Sequence, residues 1–188
     1  DEVYRLMTTT RVTPHRKTRT LKIADISYRL PDTSVAELIG LLEEVAELQE
    51  KEGVVDLPEL ADVVRLDIDD LFPVREALSI LNLAHVSDGD IIMTEEGKNF
   101  LSDDITDKKV RFARLLLEHI PLAPFIQNTL QAQTQQKLNE TYFLTKLENY
   151  FTENEAARVL DTLIDWARYA ELFSYDYNTG TLSLEDVE

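Results

Sequence analysis

From Pro31 onward the apolar positions fall into a helical rhythm. Val35, Leu38, Ile39, Leu42, Val45 and Leu48 recur at three- and four-residue steps, and Lys51-Glu52-Gly53 supplies a basic last turn and a glycine stop. Asp56 reads as the N-cap of a second helix ending near Leu66. Pro58 sits in its first turn, Glu59 completes a capping-box pattern, and Leu57, Leu60 and Val63 or Val64 face inward. A third helix starts at Asp69 or Asp70 and runs to about Leu83. It tolerates Pro73 in its first turn and buries Leu71, Val74, Leu78 and Leu81.

The period then changes. Ala84-His85-Val86 and Ile91-Ile92-Met93 flank Ser87-Asp88-Gly89-Asp90, which has the composition of a hairpin turn, and Thr94-Glu95-Glu96-Gly97 opens another helix. Three helices followed by a two-stranded hairpin are the order of a winged helix. Residues 107–119 and 121–134 predict two helices broken at Pro121. In the first, Val110, Ala113, Leu117 and Ile120 face inward while Lys108, Lys109, Arg111 and Arg114 face mostly outward. The order then repeats: a helix over about 140–151, then Thr152 as N-cap with Glu155 at the box position of a helix over 153–171. Two strands around Asn178-Thr179-Gly180 follow. The expected fold is mainly α with small β-hairpins (α+β): tandem winged-helix-like units at 31–104 and 139–188, joined by a helical bridge at 105–138. Asp1–Met7 reads as the tail of a preceding helix and 8–30 as a linker without apolar periodicity.

Charge sets the first thirty residues apart. They carry 7 Lys and Arg against 3 Asp and Glu, whereas residues 31–188 carry 12 against 33, a net −21 within the whole chain's −17. A field of that sign disfavours loose binding to nucleic acid or anionic lipid. The absence of cysteine among the 188 residues excludes disulfides, thiolate metal sites and cysteine nucleophiles, and fits a cytoplasmic protein. No stretch approaches the roughly 18 apolar residues of a membrane span, and no signal-peptide core is apparent.

Candidate chemistry is sparse. A helix-turn-helix suggests DNA binding, but the third-helix region holds Asp67, Asp69, Asp70 and Glu76 against Arg75 alone, the wrong charge for phosphate contacts. Asp67-Ile68-Asp69-Asp70 superficially matches the aspartate motif of haloacid-dehalogenase-type phosphatases, yet it lies between helices and not after a parallel strand, so helix capping explains it better. His85 with Asp88 and Asp90 falls short of a metal-ligand set, and His15, His85 and His119 are scattered. No phosphate-cradling glycine loop is present. Trp166, Tyr169, Phe173, Tyr175 and Tyr177 concentrate aromatic side chains at the end of the chain. Helical spacing assigns part of the set to the core, while Trp166, Tyr169, Tyr175 and Tyr177 stand as candidate protein-interaction residues, with Tyr175 and Tyr177 sharing a strand face.

Three stretches are recognisable together: Leu30–Glu43, Asp70–Gly97 ending Met-Thr-Glu-Glu-Gly, and Ile164-Asp-Trp-Ala-Arg-Tyr-Ala-Glu-Leu-Phe-Ser-Tyr-Asp176. Over about residues 30–186 the chain resembles the C-terminal AAA-associated domain appended to ATP-binding subunits of nitrate/sulfonate/taurine-type ABC importers. The resemblance implies a non-catalytic regulatory or protein-interaction domain on the cytoplasmic side of the inner membrane. Its implied partners are the ATPase domain, a second copy of itself and, indirectly, the membrane subunit. ATP and magnesium would bind only the upstream ATPase, and no cofactor is expected in this chain. Two alternatives stand beside it: a winged-helix transcription regulator using Arg11–Lys22 as an arm, and anion sensing by Lys108, Lys109, Arg111 and Arg114.

Overall fold

The computed structural model describes residues 24–184. The helix tail expected at Asp1–Met7, His15, the basic segment Arg11–Lys22 and most of the linker lie outside the described residues.

Helix α1 (Val35–Glu52) forms where the apolar rhythm places it. Ser34 starts it with a reciprocal capping box: its hydroxyl accepts from the Glu37 N–H at 3.3 Å, and the Glu37 carboxylate accepts from the Ser34 N–H at 2.7 Å. Leu41 joins the five core positions at Val35, Leu38, Leu42, Val45 and Leu48, and Ile39 packs half-buried beside them. Strand β1 (Val55–Asp56) is too short to leave a periodic signal. Helix α2 (Leu57–Val64) buries Leu57, Leu60 and Ala61. Asp56 occupies its N-cap position without a side-chain cap bond, so the expected box does not close. Repulsion from Glu52, which also shares a hydrogen bond with it, holds the Glu59 carboxyl above its ordinary value.

A single 3₁₀ turn (Ile68–Asp70) precedes helix α3 (Leu71–Ile80), which therefore starts and stops slightly inside the expected range. Strands β2 (Ala84–Ser87) and β3 (Asp90–Met93) follow. Asp88 and Gly89 join them with φ of 55° and 93°, the paired left-handed geometry of a tight hairpin. β1 pairs antiparallel with β3, so the expected two-stranded hairpin is a three-stranded sheet of order β1-β3-β2.

Helix α4 (Glu95–Ser102) explains the Met-Thr-Glu-Glu-Gly stretch. The Thr94 hydroxyl accepts from the Gly97 N–H at 2.9 Å and donates to the Asn82 carbonyl at 2.7 Å. That clasp brings Gly97 so close to the α3–β2 connection that a Cβ would stand 2.2 Å from the Leu83 carbonyl oxygen.

Helices α5 (Ile105–His119) and α6 (Leu122–Gln131) lead into β4 (Lys137–Asn139), α7 (Glu140–Leu147), α8 (Glu153–Tyr169), β5 (Ser174–Asp176) and β6 (Thr181–Ser183). The second sheet has order β4-β6-β5, matching the first. Helix, strand, two helices and two strands thus occur twice, with α6 in the place of α1, and position 138/139 falls inside β4. Thr152 caps α8 by accepting from the Glu155 N–H at 3.3 Å, as the sequence predicts.

The inward face of α5 differs from expectation. Val110 is 66% exposed, and Phe112, Leu115 and Leu116 are buried with Ile120. The run Leu115-Leu116-Leu117 admits two phases, and Phe112 settles the choice by packing at 6.0 Å from Phe100 and 6.5 Å from Trp166. Side chains from α1 through β6 form one continuous hydrophobic core, so the two repeats share their interior.

Candidate functional site

The seam between the repeats is built by α8 meeting the start of α1. The indole of Trp166 is fully buried and its Nε1–H donates to the Thr33 carbonyl at 2.8 Å. One turn-face away, the Asp165 carboxylate accepts from the Val35 N–H at 3.0 Å, satisfying a first-turn donor of α1 across 130 residues of sequence. Asp32, Arg158 and Asp161 line a shallow cleft beside this contact, where Arg158 keeps Nη2 buried without a hydrogen-bond partner.

This geometry divides the aromatic set. Trp166 is a packing residue of the seam, unavailable to a partner in this arrangement. Tyr169 is half-buried with its ring edge-on to Phe112 at 5.4 Å, and burial raises its hydroxyl. Tyr175 is also half-buried: its hydroxyl donates to the Glu140 carboxylate at 2.5 Å, which, with burial, leaves it pushed up to about 12. Tyr177 alone of the four stands out, 68% exposed. Its ring is edge-on to Tyr175 at 4.8 Å, and the Arg168 guanidinium lies over it at 5.1 Å.

The cations of α5 are largely consumed by carboxylates. Arg111 donates to Asp103 at 2.5 Å and Glu96 at 2.7 Å, Arg114 to Glu96 and Glu118, and Lys109 to Glu171 at 2.5 Å. Burial raises Glu96, but the hydrogen bond from Arg111 and the fields of Arg114 and Arg111 bring it below its ordinary value. The Arg111 hydrogen bond does the same for Asp103. Of the four cations only Lys108 has no salt bridge among the described residues, so the face has little charge left for a free anion.

The acidic motif does not sit at a strand end. Asp67 is the N-cap of the 3₁₀ turn and Asp70, the last residue of that turn, the N-cap of α3, both without side-chain cap bonds, and Asp69 lies within the turn. Among the described residues no group of three or more His, Asp or Glu is arranged to hold a metal ion. His85 is half-buried in β2, opposite Ile92.

A feature that the helical stripes conceal is an apolar surface at the α2–α3 junction. Val63, Leu66, Ile68 and Phe72 are each between 41% and 47% exposed. Val63 and Leu66 border a groove of about 800 Å³ between α1 and the α2–α3 turn, lined also by Leu41, Val64 and Leu71 and by the acids Glu37, Glu44, Asp69 and Asp70. A second cleft of about 490 Å³ adjoins it, sharing Asp32, Asp69 and Pro73 and adding Tyr28, Phe72 and Glu76. The Tyr28 hydroxyl donates to the Glu76 carboxylate there, and burial followed by that bond raises it. Arg75 lies over the Phe72 ring at 4.6 Å, Arg29 lines the second cleft, and Arg65 stands exposed between Val64 and Leu66. The available sequence signal was that Leu66, Ile68 and Phe72 fall outside the buried stripe of either helix.

No helix among the described residues is long and apolar enough to cross a membrane. A family model for the C-terminal AAA-associated domain matches residues 58–176. No curated protein and no solved structure matches the chain. The match runs from α2 to β5, through the apolar junction, the Thr94–Gly97 clasp and the Trp166 seam, and the chain belongs to the C-terminal AAA-associated domain family.

Proposed function

We propose that this chain is the non-catalytic regulatory and protein-interaction domain at the C-terminus of an ABC importer ATP-binding subunit of the nitrate/sulfonate/taurine class. It acts on the cytoplasmic face of the transporter by contact with the ATPase domain. The two repeats are read as winged-helix-type units put to protein contact. ATP and magnesium belong to the upstream ATPase in this reading, and this domain holds neither.

The observation that carries the proposal is the α2–α3 junction. In a nucleic-acid reader this region needs cations for phosphates and donors for base edges. Here it offers Val63, Leu66, Ile68 and Phe72 beside Asp67, Asp69 and Asp70, a composition suited to a protein partner and hostile to DNA. The transcription-regulator reading therefore gains no support at the surface where it needs it.

Two ATPase subunits closing against each other would carry two such domains, and a coupling of about 1–3 kcal/mol between domain contact and ATPase closure suffices to change turnover severalfold. Of the four candidate aromatics at the end of the chain, Tyr177 is the exposed one and so the one offered for contact between the two copies. The test is removal of residues 31–188 from the complete subunit. The expected result is an altered ATPase rate or an altered response to transported solute in the assembled transporter; unchanged kinetics with unchanged assembly would reject the proposal.

A further inference from the structure

We infer that the basic segment of this same chain, residues 11–22, docks in the acid-rimmed apolar groove between α1 and the α2–α3 turn. The inference rests on reading that face as a docking surface, and it names the occupant.

The groove asks for a ligand that is both apolar and cationic. Its interior offers Leu41, Val63, Leu66 and Leu71, so an occupant gains by covering apolar surface. Its rim offers Glu37, Glu44, Asp69 and Asp70, with Asp32 shared by the adjoining cleft. Elsewhere on the molecule Lys and Arg side chains answer exposed acids, as Lys51 does for Glu47, Lys98 for Glu95 and Arg111 for Asp103. Among the described residues none of Asp32, Glu44, Asp69 or Asp70 is in a salt bridge, and Arg29 in the adjoining cleft is taken by Glu155 at 3.4 Å, so negative charge outweighs positive around the exposed apolar side chains. An acidic partner is repelled there, and a cationic one is steered in.

Residues 3–24 contain no Asp or Glu. Within them 11–22 place Arg11, Arg16, Lys17, Arg19 and Lys22 around Val12 and Leu21, the complementary chemistry in one short stretch. Position favours it as well. The described chain begins at Ala24, and Tyr28, Leu30 and Asp32 already line the cleft that opens into the groove. At roughly 3.3–3.6 Å per residue of extended chain, two residues span about 7 Å and eight about 28 Å, a reach that starts beside the cleft adjoining the groove. A short tether supplies an effective concentration on the order of millimolar, and a contact of only about 0.1 mM affinity is then mostly formed. In a complete subunit this segment joins the ATPase to the domain, so docking it would fix the direction in which the domain leaves the ATPase.

The test is limited trypsin digestion of the full chain at low ionic strength, following cleavage after Arg16, Lys17, Arg19 and Lys22 against a free peptide of residues 8–23. Cleavage in the chain should be about tenfold slower than in the peptide, because proteolysis follows the undocked population. Protection should disappear in a Glu44→Lys/Asp69→Lys/Asp70→Lys variant and fade in about 0.5 M salt, where the Debye length is only a few ångström. Circular dichroism reports whether that variant folds; Glu44→Gln/Asp69→Asn/Asp70→Asn replaces it if it does not, with the same expected loss. Cleavage at the peptide's rate, or protection indifferent to the groove substitutions, overturns the inference. Protection that rises with protein concentration overturns it too, because the occupant is then a second copy's segment. Either failure removes the occupant and leaves the ATPase test of the proposed function untouched.

Discussion

Trp166 and Thr33 lie 133 residues apart in sequence, and the buried indole of the first donates to the main-chain carbonyl of the second at 2.8 Å. The bond joins the last long helix to the residue before the N-cap of the first, and Asp165 reinforces it by accepting from Val35. The two repeats are therefore stitched at one seam and share one core. Trp166→Phe keeps an aromatic ring but strands the Thr33 carbonyl, which should cost about 1–3 kcal/mol in urea unfolding followed by circular dichroism. The loss should appear as a shift of one cooperative transition. A resolved early step for either repeat would contradict the shared core.

Gly97→Ala should be costly for a different reason. Its Cβ would stand 2.2 Å from the Leu83 carbonyl oxygen and 2.8 Å from Met93 Cγ. Main chain cannot yield as a side-chain tip does, so α4 must move off the hairpin, at about 1–3 kcal/mol or more. Gly40→Ala is the control, since no atom lies within 4 Å of the added methyl. Thermal melting of the pair should show a clear drop for position 97 and none for position 40.

The Arg111 cluster predicts an acid dependence. Glu96 and Asp103 are held below their ordinary values in the folded chain, so their contribution is present above the usual carboxylate range of about pH 4 and is lost as the pH falls through the lowered values. Arg111→Gln should lower the urea midpoint at pH 7, and the gap to the unsubstituted chain should narrow toward pH 3. A gap that stays constant with pH would mean that Arg111 contributes through packing alone.

The long elements were legible because each buries a wide apolar stripe and starts at a polar cap, as α1 at Ser34 and α8 at Thr152 illustrate. The Asp88-Gly89 turn was legible because left-handed backbone selects those residues. Strands β1 and β4 were not, since two or three residues show no alternation and form only because a distant hairpin offers an edge. The face of α5 was misplaced because Val110 and Phe112 compete as anchors, and only Phe100 and Trp166 across the core decide between them. For the candidate site, sequence pattern separated core-type aromatics from strand ones but could not see that Tyr175 is tied to Glu140 while Tyr177 stays exposed. The α2–α3 surface was hidden because exposed and buried leucines look alike until the helices are packed.

That surface also predicts a separation of stability from function. Ile68 and Phe72 are each 41% exposed, so Ile68→Ser or Phe72→Ser should cost no more than about 1–2 kcal/mol, against about 3–5 kcal/mol for truncating a fully buried Phe. A loss of several kcal/mol in either would place those side chains in the core and withdraw the surface as a docking face.

The most direct measurement is the ATPase rate of the complete subunit, in its assembled transporter, carrying Leu66→Ser and Phe72→Ser together. With the domain still folded by circular dichroism, the rate or its response to solute should shift in the same direction as on removal of residues 31–188. A folded double variant with unaltered ATPase kinetics and assembly would contradict regulation through this face.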